Sequence, residues 1–170
     1  MALGRDHDRA TLMVCVPAGL LSGLWLGLGM GVLTAAAFAW GGLWLSPDLD
    51  TRSRALKRWG PLGWIWRPYR TLIPHRSLFS HGPLIGTGLR LTWLMTIAMV
   101  VWFGLTALPG WLYPTPSEGL PVVLQWVRQH PSPLLAVLLG LETSVWLHLI
   151  LDGDPLPAEW PRRWPRRRRQ

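Results

Sequence analysis

The chain has 170 residues, of which 49% are hydrophobic and only 15% charged, a balance that excludes a disordered segment or an ordinary water-soluble domain. Its 17 Lys and Arg against 9 Asp and Glu leave a formal charge of +8, which raises nucleic acid as a partner. The basic residues flank apolar runs and no recognition fold accompanies them, so membrane lipids are the expected partner and no nucleic acid is.

Residues Met1 to Arg9 read as a short polar head containing Arg5-Asp6-His7-Asp8-Arg9. The uncharged run from Ala10 to Pro47 would reach roughly 57 Å as one helix, against a hydrocarbon core of about 30 Å, so it suits two crossings. Glycines at 19, 23, 27, 29 and 31 place the break near Gly27 to Gly31, predicting helices over about 10–26 and 31–45. Gly19, Gly23 and Gly27 stand four apart, the spacing that lets two helix backbones approach closely. A cleaved signal peptide ending at Ala35, Ala37 and Ala39 is disfavoured, because the apolar run is too long and Asp6 and Asp8 interrupt the basic start.

Pro47 ends the second helix within Ser46-Pro47-Asp48-Leu49-Asp50. Thr51 to Pro74 alternates basic residues with Trp59, Trp64, Trp66 and Tyr69, a basic amphipathic segment suited to an anionic leaflet. The 13 Trp residues fit the same setting, since Trp settles at the headgroup level. A third apolar stretch covers about 83–108, broken only by Arg90, and 120–130 forms a short amphipathic or interfacial helix, or a further crossing. A fourth apolar helix covers about 134–151. Residues 154–170 form a basic tail following a single domain, 1–153. The predicted fold is therefore all-α, a polytopic bundle of about four transmembrane helices.

Four crossings put the head, the central loop and the tail on one side, and with them His7, Asp8, Asp48, Asp50, His75, His81, His148 and Asp152. Fifteen of the 17 basic residues lie there too, so the positive-inside rule makes this face, and both termini, cytoplasmic. Only His130 among the five histidines falls on the far side.

The single cysteine, Cys15, leaves any metal to His and carboxylates. Asp48 and Asp50 follow a helix, where Asp is also common as a mere stop signal. His75 and His81 are six apart, too far for one helical face but within reach from a loop that opens a helix. His148 and Asp152, at i and i+4, share a face, so the acid can join the imidazole on one ion or orient it. Eight ligands without a thiolate suit zinc, manganese or iron, as one ion or two. Arg76 suits a phosphate fork or a salt bridge to Asp48 or Asp50. Arg90 and Glu142 sit at matching depths, predicting a buried pair, with Glu142 otherwise a spare ligand or base.

Gly4-Arg5-Asp6-His7-Asp8, Ser46-Pro47-Asp48-Leu49-Asp50-Thr51-Arg52-Ser53, Arg58-Trp59-Gly60-Pro61-Leu62, Pro74-His75-Arg76-Ser77, Ser80-His81-Gly82-Pro83 and His148-Leu149-Ile150-Leu151-Asp152 together resemble a bacterial family of small multi-pass proteins described as metal-binding and of unknown function. The resemblance covers about residues 4 to 153. More distantly, the chain is similar to membrane-bound metal-dependent hydrolases, and more faintly to the all-helical zinc phospholipase C and single-strand nuclease group. The last likeness implies phosphoester hydrolysis at a multinuclear zinc site. The resulting expectation is a metal-dependent hydrolase of phosphoesters, lipid ones included, in the bacterial inner membrane. Asp48 or Asp50 would act as ligand or base and Arg76 as phosphate clamp. The alternatives are a metal-stabilised scaffold or ion-handling protein, and a plain structural membrane protein without metal.

Overall fold

The computed structural model describes residues 4–106 and 119–153, all-helical with no strand among them. In chain order the helices are α1 (Gly4–Leu26), α2 (Leu28–Leu43), α3 (Arg54–Arg58), α4 (Arg67–Leu72), α5 (Leu78–His81), α6 (Ile85–Thr106), α7 (Gly119–Gln129) and α8 (Pro131–Leu151), with 3-10 turns at Pro47–Asp50 and Gly60–Trp66. Four helices, those opening at Gly4, Leu28, Ile85 and Pro131, are long and apolar enough to cross a membrane. Their outer faces keep Leu20, Leu21, Leu24 and Val100 exposed, as a surface facing lipid requires. Among the described residues of α7, the 11-residue helix would rise only about 16 Å, too short to cross. The basic tail lies outside the described residues, as does the predicted end of the third span at 107–108.

Three boundaries differ from the sequence expectation by three residues or more, and the end of α2 and the start of α6 by two. Residues 4–9 are no separate head: they are the opening turns of α1, so His7 and Asp8 lie on a helix. The first turn is broken at one residue, Gly27, whose φ of 89° favours glycine, and α2 resumes at Leu28 instead of 31. Gly27 is thus the turn, with nothing near enough to pack against, whereas Gly19 and Gly31 are the close approach: a Cβ on Gly31 would meet Gly19 O at 2.6 Å. Finally, α8 starts at Pro131 instead of 134, because prolines in the first helical turn forfeit no internal hydrogen bond.

α2 lies between α1 and α8. Its contact with α8 depends on Gly140, where a Cβ would meet Ala37 Cβ at 2.7 Å and Phe38 N at 2.8 Å. The core runs from Ala37 on α2 and Leu141 on α8 to one end of the long helices, where Leu45, Leu49, Ala55, Ile65, Trp66 and Tyr69 cluster. Trp66 is fully buried, a contribution on the order of 3 kcal/mol, and meets the Trp59 and Tyr69 rings edge-on at 5.3 and 5.5 Å. The segment expected to lie on a leaflet is therefore partly a folded plug. It is tied to α2 by Arg58 Nη1 and Trp59 Nε1, which donate to the carbonyls of Leu43 and Trp44 at 3.0 Å each. Those carbonyls are among the last of the helix and lack partners within it.

Candidate metal centre

α1 and α6 begin, and α2 and α8 end, at the plugged end of the bundle, which gathers the polar residues. His7 lies in the second turn of α1 and His148 in the last turns of α8, their rings stacked at 4.2 Å. Asp48 and Asp50 sit in the 3-10 turn after α2, where the Ser46 side chain accepts from Asp48 N. His75 and Arg76 form a bend in which Arg76 takes the left-handed φ of 57°, a conformation costing roughly 1–2 kcal/mol in a non-glycine residue. His81 ends α5, a single turn held by a capping box between Ser77 and Ser80.

Seven of the eight expected ligands converge. They form three overlapping groups: His7, His148 and Asp152; Asp48, His81 and His148; and Asp50, His75 and His81. Asp8 is not among them. Its carboxylate binds Arg54 Nε at 2.7 Å and Arg58 Nη2 at 2.6 Å, fastening α1 to α3. The helix explains the split, since neighbours in an α-helix point about 100° apart, so that Asp8 turns toward α3 where His7 turns toward α8.

The distances sort the remaining pairs into two kinds. His75 Nδ1 lies 3.0 and 3.1 Å from the two Asp50 oxygens, and His7 Nε2 lies 3.2 Å from Asp152 Oδ1; these are hydrogen bonds. Asp48 Oδ1 instead lies 3.6 Å from His148 Nε2 and 3.8 Å from His81 Nε2, and Asp152 Oδ2 is 3.6 Å from His148 Nε2. Such gaps are too long for hydrogen bonds. A tetrahedral ion with bonds of about 2.0–2.2 Å places its ligand atoms roughly 3.3–3.6 Å apart, close to this spacing. His81 Nε2 and His148 Nε2 are both buried and without a hydrogen-bond partner among the described residues, a condition costly to leave unmet.

Ser80 decides which nitrogen of His81 faces the group. Its hydroxyl accepts from Ser77 N at 3.1 Å and has one proton to give, with Pro74 O at 3.1 Å and Ser77 O at 3.3 Å in reach. Donating to a carbonyl leaves Oγ to accept from His81 Nδ1 at 2.9 Å. His81 is then protonated at Nδ1 and carries its lone pair on Nε2, toward Asp48 and His148. The nearby Asp50 Oδ2, 3.6 Å from Nδ1, cannot share an ion with that nitrogen. Sequence reading overlooked Ser80; the Ser-x-x-Ser spacing at 77 and 80 is the signal that would have found it.

Arg90 and Glu142 meet through an intermediary. Thr87 Oγ1 donates to Glu142 Oε2 at 2.7 Å and accepts from Arg90 Nη2 at 3.3 Å, while Arg90 Nη1 donates to Ser80 O at 2.7 Å. Glu142 Oε1 accepts from Leu84 N at 2.8 Å. The two residues therefore lock the α5–α6 junction, and through it His81, to α8. Arg76 lies with Nη2 at 3.8 Å from Asp152 Oδ2 instead of beside Asp48 or Asp50. A cavity of about 200 Å³ opens on the group, with His7, Asp8, Asp48 and Arg54 in its wall. Nearby in the plug, burial raises the Tyr69 hydroxyl above its ordinary pKa.

An all-helical bundle with candidate membrane-spanning helices and, at one end, a buried His/Asp group able to hold a metal ion is the class that fold and site define. The chain belongs to the uncharacterized metal-binding protein family DUF2227, whose model matches residues 2–164. No curated protein and no solved structure matches it.

Proposed function

We propose that the protein is a membrane-embedded, metal-dependent hydrolase of phosphoesters, lipid ones included, acting at the cytoplasmic face of the membrane. One divalent ion, zinc by its donor set, would be held by Asp48 and the Nε2 atoms of His81 and His148, with Asp152 a further carboxylate beside His148. The observation that carries this is the pair of buried, unpartnered imidazole nitrogens flanking one carboxylate. A second complete triad would need His148 Nε2 or His81 Nδ1 again, and both are spent, which favours one ion over two.

Three protein ligands suit a catalytic site better than a structural one, which closes its shell with four. The ion would supply Lewis-acid polarisation and a lowered pKa for water. The chain supplies the rest. Asp50, accepting from His75 Nδ1, leaves the His75 lone pair on Nε2, where it takes up a proton as general base. Asp152 orients His7 and draws in Arg76, whose guanidinium suits two oxygens of a phosphate. The 200 Å³ cavity has space for a phosphate group with several waters, at about 30 Å³ each.

Depth favours one other reading. His81 and His148 are 7% and 5% exposed, and a metal tying the 3-10 turn, α5 and α8 together would also serve a scaffold. Elemental analysis of detergent-purified protein, followed by a panel of phosphomonoesters and phosphodiesters with phospholipids included, separates the two. The hydrolase reading expects about one equivalent of metal and cleavage that His148→Ala abolishes. Stoichiometric metal without cleavage of any member leaves the scaffold, and absence of metal removes both readings.

A further inference from the structure

A second cavity lies away from the His/Asp group. It occupies about 640 Å³ in the angle between α3, the Gly60–Trp66 turn and α4, and Arg52, Lys57, Arg67 and Arg70 contribute to its wall. That volume is in the range of small-molecule sites. Among the described residues no acidic one lines it, and none of the four cations forms an ion pair. The contrast with Arg54 and Arg58, which share Asp8 a few residues away, is instructive, since the fold matches charge where it needs a strut and leaves it unmatched here. Arg70 adds a second sign, with its Nε buried and lacking a hydrogen-bond partner.

The rim identifies what kind of anion fits. Trp64 lines the cavity and is 64% exposed, and Leu62 and Leu72, outside its wall but on the turn and helix that build it, are exposed as well. The cavity also lies on the segment that caps α2, at the level where the long helices end. A cationic hollow with an apolar lip at a membrane boundary matches an amphiphile, with charge inward and acyl chains along the lip. Glycines at 60 and 63 narrow no part of the cavity with side chains, and Gly60 turns the chain at a φ of 52°.

We infer that this cavity is a binding site for the phosphate of an anionic phospholipid headgroup, separate from the metal centre and independent of its chemistry. Only the short ribbon through Ser53 is common to both cavities, so an occupied lipid site would hold the plug, and with it the turn carrying Asp48 and Asp50, against the leaflet.

Native mass spectrometry of the full-length protein in detergent tests this, with phosphatidylglycerol and phosphatidylcholine of identical acyl chains as probes. Phosphatidylglycerol is expected to remain bound and phosphatidylcholine to be lost. R67Q/R70Q should weaken the retained lipid by roughly thirtyfold, about fivefold per charge near a surface, while R5Q/R9Q changes it less than twofold. If the first double variant does not fold, R52Q/K57Q, which alters two exposed side chains, carries the same expectation. Equal retention of both lipids, or equal loss in the R5Q/R9Q control, overturns the inference. Displacement of phosphatidylglycerol by inorganic phosphate at constant ionic strength, as readily as by a short-chain phosphatidylglycerol, would show a free-anion site and overturn the lipid assignment.

Discussion

Two buried polar networks lie at the same end of the bundle and are built on opposite terms. In the Arg90, Thr87 and Glu142 network the polar atoms pair with one another and with the backbone at 2.7–3.3 Å, Arg90 Nε alone lacking a partner among the described residues. In the His/Asp group Asp50 and Asp152 find hydrogen-bond partners, but His81 Nε2 and His148 Nε2 find none among the described residues, and their gaps to Asp48 are 3.8 and 3.6 Å. A network that exists to hold helices together closes on itself, because an unpaired buried group costs about 1–3 kcal/mol. A network that leaves its lone pairs aimed at one point from several elements has room for something else. The difference in spacing distinguishes a strut from a ligand site here better than residue type does.

The comparison breaks first at His148. His148→Ala or Asp48→Ala should remove the bound metal, and with it a stabilisation of about 4 kcal/mol at a thousandfold excess over Kd. Chelator should then lower the Tm of the wild type by roughly 10 °C and leave both variants unmoved. A variant that kept stoichiometric metal by elemental analysis would place the ion elsewhere. Arg90→Met should cost roughly 3 kcal/mol by leaving Ser80 O and Thr87 short of a donor. Its Tm should fall by the same amount with and without chelator, and the folded fraction should retain its metal.

Ser80→Ala sharpens the contrast, because Ser80 belongs to both networks through its carbonyl and its hydroxyl. Removing the hydroxyl frees His81 to protonate at Nε2, so metal affinity should fall about 10–100-fold in a competition titration with a chromophoric chelator. A fall in Tm without loss of affinity would make Ser80 a cap alone. The smallest effect belongs to Asp8→Asn, which removes the ties to two arginines. At a partly exposed site this should cost about 1 kcal/mol or less in thermal melts, with metal content unchanged; lost metal would return Asp8 to the ligand set.

Much of this was legible in the order of residues. The charge-free runs announced four apolar helices, and alternation across them placed seven of the eventual His/Asp neighbours at one end, because each crossing reverses the chain. The i, i+4 spacing of His148 and Asp152 is a local feature that needs no tertiary contact to read. The break at Gly27 was visible within a few residues, but not its residue, since Gly27, Gly29 and Gly31 each permitted it.

Sequence alone determined composition, the number of long apolar helices and the end of the bundle where polar chemistry gathers, since periodicity, length and alternation act along the chain. Tertiary structure decided which polar groups meet. Asp8 and Asp152 are equally reasonable as ligands on paper. One turned to Arg54 and Arg58 because α1 begins early enough to point it there, and the other met His7 from the far end of the chain. The nitrogen that His81 offers depends on a hydroxyl whose proton goes to Pro74 or Ser77, and the aromatic residues expected on the membrane surface became, at Trp66 and Tyr69, the core that holds the site in place. These are matters of direction and of competition between partners distant in sequence, which no spacing along the chain encodes.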